Sequence, residues 1–138
     1  MASDNLIDGR AIADQIHEET QRRVTTLKEK GALPGLIFVR VGEDPASRVY
    51  VGMKEKACER LGIQSQTRVF PEETPEKELL GIIGELNVDP TIHGILVQAP
   101  LPKQINEAVI FAAVSPNKDV DGFHPLNVGK LLLGDPSG

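Results

Sequence analysis

The sequence predicts an α/β fold: a three-layer α/β/α domain around a mostly parallel sheet of about four strands. Short runs rich in β-branched residues alternate along the chain with amphipathic segments long enough for helices. The connections between them are short. Strands and helices that alternate in this way form a parallel sheet through right-handed crossovers, with helices on both faces.

The N-terminal half begins with a long amphipathic helix over residues 9–30, for which Asp8 is the predicted N-cap and Gly31 the stop. Its apolar side comprises Ile12, Ile16, Thr20, Val24 and Leu27. Residues 36–41 form a short apolar run, typical of a strand buried on both faces. A helix follows over residues 46–61.

The C-terminal half continues the alternation. Residues 64–70 alternate polar and β-branched side chains, as in a strand nearer the edge of a sheet. Thr74 and Pro75 then cap a helix that carries Leu79, Leu80, Ile82, Ile83 and Leu86. A buried strand is predicted at 94–98, a short helix at 107–114 and a polar loop at 115–125, followed by an incipient helix that includes residues 131–133.

The helix at 46–61 carries a lysine within its apolar stripe. The stripe is predicted to run through Tyr50, Met53, Ala57, Cys58 and Leu61. Ser47, Tyr50 and Lys54 project within about 60° of one another, toward the same side. A buried ammonium costs several kcal/mol unless it is paired or neutralised, and an amine in such a place can act as a general acid or base. The alternative is a lysine whose stem packs on the stripe while its head reaches water.

Composition excludes several classes of function. The 138 residues suffice for one domain, and a net charge of -5 without a basic stripe argues against nucleic-acid binding. There is no secretory signal and no apolar run near the roughly 18 residues that span a bilayer, so we expect a cytoplasmic protein. The single Cys58 is predicted to be a core residue, with a reactive thiol as the alternative, and the three scattered histidines predict no metal site.

Three polar clusters follow predicted strands or the last loop: residues 42–47, residues 98–102 and residues 118–124. Ligands of parallel sheets bind outside the carboxyl ends of the strands, so these clusters can share a pocket. We expect Gln98 to hydrogen-bond the Lys54 amine and Asp121 to accept from the N–H groups of a heterocycle. Each cluster has an alternative when it is taken alone. Gln98 would then be an ordinary strand end, and residues 119–122 would be a solvated turn, since Asp-Gly is a common turn pair. The joint placement of the clusters weakens these alternatives.

Three motifs, in this order, resemble the bifunctional methylenetetrahydrofolate dehydrogenase and methenyltetrahydrofolate cyclohydrolase family of one-carbon metabolism. They are VGEDPAS at 41–47 with YVGMK at 50–54 and KAC at 56–58; HGILVQ at 93–98 with PLP at 100–102; and PNKDVDGFHP at 116–125 with NVG at 127–129. The resemblance implies that Lys54 is the catalytic lysine, held by Gln98, that Tyr50 stacks on and orients the folate, and that Asp121 binds the pterin ring. The substrate-binding residues it implies are Ser47, Tyr50, Val51, Lys54, Val97, Gln98, Pro100 and Asp121.

The same resemblance implies a domain plan. Residues 1–125 would form the folate-binding catalytic domain, the N-terminal domain of a two-domain dehydrogenase, and residues 126–138 would start an interdomain helix that is cut short. No G-x-G-x-x-G turn occurs in the sequence, so the dinucleotide-binding domain is expected to be absent and NADP to bind that missing C-terminal domain. The implied partners are the folate substrate, that domain and, for the full-length enzyme, a second copy in a homodimer.

The implied enzyme oxidises 5,10-methylene-tetrahydrofolate with NADP and hydrolyses the 5,10-methenyl product to 10-formyl-tetrahydrofolate. This chain alone is expected to lack the dehydrogenase activity. One departure is Ala99, where the family usually has leucine, which is expected to loosen folate packing. Two alternatives stay open: a folate-binding module without catalysis, and the substrate domain of an amino-acid or shikimate-type dehydrogenase.

Overall fold

The structure is a computed structural model and describes residues 7–137. Its elements are, in chain order, α1 Gly9–Glu29, β1 Gly35–Val41, α2 Pro45–Leu61, β2 Gln64–Phe70, α3 Glu76–Val88, β3 Gly94–Val97, α4 Glu107–Ala113 and α5 Pro125–Leu132. The strands pair in the order β2-β1-β3, and both pairs are parallel. The predicted α/β fold with a parallel sheet is therefore confirmed.

The sheet has three strands in the described part of the chain, where about four were predicted. The position beside β3 is taken by a single parallel bridge between Ile95 and Asp119. The chain near Asp119 turns away at once into a polar loop, so it adds one bridge and no strand. The three strands end at the same edge, because Val41 pairs with Phe70 and Val39 pairs with Val97.

Both faces of β1 are buried, as its apolar run predicts. Ile37, Val39 and Val41 belong to a core cluster with residues of α3 and α4, among them Leu79, Leu86 and Ile110. On the other face, Phe38 packs in a cluster with Leu96 of β3 and with Val51 and Cys58 of α2. Alternate side chains of a strand point to opposite faces, so this central strand joins two cores and places α2 directly over the sheet.

Helix ends follow the sequence in most places. The Asp8 carboxylate accepts hydrogen bonds from the N–H groups of Arg10 (3.1 Å) and Ala11 (3.0 Å), which confirms it as the N-cap of α1. The predicted cap of α3 is wrong: the buried Thr74 hydroxyl donates to the Pro71 carbonyl, and no side chain caps that helix.

The last helix, α5, lies where a helix was predicted after residue 125. It runs from Pro125 to Leu132, and His124 Nδ1 caps it by accepting from Leu126 N at 3.0 Å. The residues before it form the predicted irregular loop. Within residues 7–137, no helix combines the length and the apolar content needed to cross a membrane.

Candidate active site

The side chains of Lys54 and Gln98 meet at the carboxyl edge of the sheet. Lys54 extends from α2, and its Nζ donates a hydrogen bond of 3.1 Å to Oε1 of Gln98, the residue directly after β3. The Gln98 amide nitrogen donates to the Ala99 carbonyl at 2.7 Å. Because the nitrogen is engaged there, the amide oxygen faces the amine. The hydrogen bond expected between these two residues is present.

Lys54 points toward the sheet because it lies on the buried face of α2, although the predicted stripe was partly wrong. The buried residues of α2 are Ser47, Val51, Cys58 and Leu61. Tyr50 and Met53, predicted to be inside, are 58% and 62% exposed. Helix α2 covers β1 and β3 along the spacing 47, 51, 54, 58, 61, and residues one position earlier are turned by about 100° toward solvent.

Lys54 occupies the middle of that buried row and is itself half-buried. Its neighbours along the row, Val51 and Cys58, pack into the sheet cluster. The stem of the lysine therefore lies over the sheet while its amine reaches Gln98. The sequence allowed either a buried amine or an amine in water, and the observed position lies between these two alternatives.

Asp121 is the third member of the site. Partial burial raises the pKa of its carboxyl, the positive charge of Lys54 opposes that rise, and the negative charge of Asp119 adds to it. Among the described residues, Asp121 and Lys54 form no direct ion pair. The two charges thus act on each other across a gap, which leaves both groups free to contact a ligand.

Tyr50 lies one helical turn before Lys54 and exposes more than half of its surface. An exposed aromatic ring beside a polar site can stack on a planar ligand. Pro100, also exposed, lines a pocket of about 390 Å³ at the carboxyl edge, together with residues 41–44, Glu72, Leu101 and Pro102. Lys54, Gln98 and Asp121 do not line this pocket.

The structure places the other three predicted substrate-binding residues in the interior. Val51 and Val97 belong to the clusters on opposite faces of the sheet. Ser47 is 3% exposed, and its hydroxyl has no hydrogen-bond partner within residues 7–137. Their side chains are thus part of the support of the site, and their predicted contact with substrate stays a prediction.

Comparison with known proteins decides the family. Residues 7–121 match the family described as tetrahydrofolate dehydrogenase/cyclohydrolase, catalytic domain. The chain belongs to this family. The resemblance carried by the three sequence motifs is therefore confirmed.

Relatives within the tetrahydrofolate dehydrogenase/cyclohydrolase family are close. Bifunctional protein FolD 2 of Geobacter metallireducens is 58% identical over 132 residues, which are 96% of this chain and 46% of that protein. Bifunctional protein FolD of Halalkalibacterium halodurans is 54% identical over 130 residues, 94% of this chain and 47% of that protein. The chain spans about half the length of the curated relatives it matches.

Solved structures of the family show the same fold. The bifunctional enzyme FolD of Campylobacter jejuni superposes with a TM-score of 0.92 at 46% identity, covering 95% of this chain and 46% of that one. The Trypanosoma brucei enzyme, solved with NADP cofactor and inhibitor, gives a TM-score of 0.87 at 34% identity, covering 95% of this chain and 45% of that one.

The described residues do not fit a dinucleotide in the turn where α/β proteins often bind its phosphates. At the start of α2, the Asp44 carboxylate already accepts from Ser47 N at 2.7 Å, and this hydrogen bond lowers the pKa of Asp44. A helix N-terminus that holds a carboxylate repels a pyrophosphate.

No group of three or more His, Cys, Asp or Glu side chains that could hold a metal ion occurs in the described part of the chain.

Sequence reasoning overlooked two buried polar residues that hydrogen-bond loops at the carboxyl edge of the sheet and before α5. Arg40 is buried in β1, and its Nη1 donates to the Gly42 carbonyl at 2.7 Å and contacts Glu43 at 3.3 Å. The signal was a charge inside an apolar run. Asn127 is buried in α5 and bonds the loop that carries Asp121. The sequence signal for Asn127 was an amide just after the motif containing Asp121.

Proposed function

We propose that this chain is the folate-binding and catalytic-lysine domain of a bifunctional enzyme. The enzyme would oxidise 5,10-methylene-tetrahydrofolate to 5,10-methenyl-tetrahydrofolate with NADP and hydrolyse that product to 10-formyl-tetrahydrofolate. The observation that carries the proposal is the 3.1 Å hydrogen bond between Lys54 and Gln98, made beside Asp121 in a chain of this family.

In the hydrolysis, water adds to the carbon of the methenyl cation, the C–N bond to one ring nitrogen breaks, and one proton is released. The Lys54 amine acts as the relay for that proton. Gln98 accepts a hydrogen bond from the amine and so directs it at the reacting carbon. A permanently charged ammonium would repel the cationic substrate, and the nearby Asp121 carboxylate offsets that repulsion.

Folate binding rests on two further side chains. The Asp121 carboxylate accepts hydrogen bonds from N–H groups of the pterin ring, a contact that a charged acceptor strengthens. The exposed Tyr50 ring stacks on the planar part of the folate and orients its one-carbon bridge toward Lys54. This chain therefore supplies substrate binding and proton transfer, and residues outside it supply the NADP site.

The assembly and location of the whole enzyme belong to the same proposal. The partners are the folate substrate, the dinucleotide-binding domain of the longer enzyme and a second copy in a homodimer, in the cytoplasm. Analytical ultracentrifugation of the longer enzyme tests the dimer, and a single monomeric species would contradict it.

The first test is calorimetric titration of the purified chain with a stable folate analogue, at neutral pH and without nucleotide. Saturable binding that Asp121→Ala weakens would support the proposal. A folate analogue that binds neither this chain nor the longer enzyme, while shikimate or an amino acid does, would favour the substrate domain of a different dehydrogenase.

A second test separates catalysis from binding. Lys54→Met in the longer enzyme should abolish hydrolysis of 5,10-methenyl-tetrahydrofolate and leave binding of the analogue within a few-fold. Full hydrolysis by this variant would contradict the role of Lys54. If the unmodified enzyme binds the analogue and hydrolyses nothing, the chain belongs to a folate-binding module without catalysis.

A further inference from the structure

The loop that carries Asp121 is organised around the carboxylate of a different residue, Asp119. Asp119 Oδ1 accepts from the backbone N–H groups of Gly122 (3.1 Å) and Phe123 (3.3 Å). Its Oδ2 accepts from His124 N (2.8 Å) and from the side-chain amide of Asn127 (3.0 Å). Four donors thus converge on one carboxylate, and the chain from 119 to 124 wraps around it.

The start of this loop is attached to the sheet and to a helix. Ile95 N of β3 donates to the Lys118 carbonyl at 2.7 Å, next to the bridge between Ile95 and Asp119. The Lys118 ammonium donates to the carbonyls of Leu86 (2.9 Å) and Asp89 (2.7 Å) at the end of α3. The backbone of Asp119 is thereby fixed relative to β3, the strand that Gln98 follows.

The end of the loop is attached through a buried amide. Asn127 in α5 is 5% exposed, and its Nδ2 donates both to the Asp119 carboxylate and to the Pro116 carbonyl at 2.9 Å. One side chain therefore joins the two ends of the loop. By contrast, the Asp121 carboxylate, in the middle of the loop, accepts no hydrogen bond within the part of the chain that the structure describes.

We propose that Asp119 is a positioning residue: its carboxylate holds the loop 119–124 in the shape that directs Asp121 toward Lys54. Asp121 remains free for a ligand because Asp119 satisfies the backbone donors of the loop. The consequence for folate binding rests on the function proposed above. The position of Asp121 relative to Lys54 is a property of the chain itself.

The charges are consistent with this role. Burial acts to raise the pKa of Asp119, but the hydrogen bonds from His124 N, Asn127, Phe123 N and Gly122 N outweigh it and lower the pKa, so this carboxyl is ionised at neutral pH. The charged groups that act on Asp121 are Lys54, from α2, and Asp119, from its own loop. Asp119 therefore affects Asp121 both by holding the loop and by its charge.

The test is a comparison of four chains: the parent, Lys54→Met, Asp119→Asn and the double variant. Asparagine keeps the shape of Asp119 but offers one acceptor oxygen in place of two, so part of the donor set loses its partner. The pKa of Asp121 is measured in each chain by NMR titration of its carboxyl carbon. In the parent background, Lys54→Met should raise that pKa, because it removes the charge that stabilises the ionised form.

In the Asp119→Asn background, the effect of Lys54→Met should fall to half or less, because Asp121 no longer faces Lys54. The amides of Gly122 and His124 should also exchange at least about tenfold faster, as expected when charge-assisted hydrogen bonds are lost. Asp8→Asn, which alters an aspartate that accepts two backbone N–H bonds at the start of α1, should change neither quantity.

A Lys54→Met effect of full size in folded Asp119→Asn would overturn the proposal, since Asp121 would then keep its place without the carboxylate. If Asp119→Asn does not fold, Asp119→Ser replaces it, because a serine hydroxyl still accepts a hydrogen bond in such a turn. In Asp119→Ser, a reduced effect of Lys54→Met on the pKa of Asp121 would support the positioning role, and an effect of full size would overturn it.

Folate binding gives an independent measurement. Asp119→Asn should weaken binding of the analogue about tenfold in the parent background and leave it within about twofold in an Asp121→Ala background, because Asp119 acts through Asp121. An equal loss in both backgrounds would overturn the positioning role. Absence of folate binding in the parent and in the longer enzyme would contradict the proposed function, while the NMR titration would still decide the position of Asp121.

Discussion

Replacing Gln98 by alanine removes the amide oxygen that accepts a hydrogen bond from the Lys54 amine. The substitution leaves Lys54 on α2 and Asp121 in its loop unchanged, because neither backbone depends on the glutamine side chain. Gln98 is half-buried and follows the last residue of β3. The variant therefore tests how much of the activity depends on the direction in which the amine is held.

The expected size follows from the geometry. A hydrogen bond to a charged group contributes about 1.5–3 kcal/mol. The 3.1 Å separation of Lys54 Nζ and Gln98 Oε1 is at the long end of the usual range, and water can reach a half-buried amine in the variant. The lower part of the range applies, about 1.5–2 kcal/mol, so the rate of hydrolysis should fall roughly ten- to thirtyfold.

The assay is the disappearance of 5,10-methenyl-tetrahydrofolate, followed by its absorbance, in the longer enzyme that carries this domain. Gln66→Ala, at an exposed glutamine of β2, serves as the matched control and should leave the rate unchanged. Binding of the folate analogue should change little in either variant. A rate within twofold of the parent for Gln98→Ala would refute the reasoning that this amide directs the catalytic amine.

Three further predictions concern pH, the core and the loop. Partial desolvation raises the pKa of the Asp121 carboxyl, so it takes up a proton at a higher pH than a free aspartate does. Calorimetry between pH 4 and 7 should therefore show folate binding weakening as the pH falls, and Asp121→Asn should remove that dependence. Ile83→Ala should lower the free energy of unfolding in urea by about 2–5 kcal/mol, because Ile83 is fully buried, whereas Val88→Ala, at a residue 80% exposed, should change it by less than about 0.5 kcal/mol. Gly122→Ala should lower the free energy of unfolding by about 1–2 kcal/mol through the backbone φ of +69° alone, since a Cβ there meets nothing within 4 Å. The helical control Gly81→Ala should raise the free energy of unfolding by roughly 0.5–1 kcal/mol. Equal changes at the two glycines would contradict the backbone strain at Gly122.

The order of helices and strands could be predicted from the sequence because each depends on local patterns. The apolar run of β1 and the Asp8 cap of α1 are examples. Packing against other elements decided the rest. Tyr50 and Met53 look like core residues by hydropathy, but α2 covers the sheet with the face one position further along, where Ser47 and Lys54 lie.

The candidate site divides in the same way. Lys54, Gln98 and Asp121 could be selected from the sequence, because a charge on an apolar face and polar residues after predicted strands are visible without a structure. Their joint geometry could not. The 3.1 Å contact spans 44 positions of the chain, and it depends on the packing of α2 against the sheet face that carries Phe38 and Leu96.

The sequence by itself determined the α/β class, the three motifs and the chemical groups available to the site, since these follow from side-chain chemistry and short-range periodicity. Tertiary structure decided which face of α2 is buried, and it decided that Asp119, not Asp121, satisfies the donors of the last loop. The physical reason is that burial and hydrogen-bond partners are set by contacts between residues far apart in the chain, which local patterns do not encode.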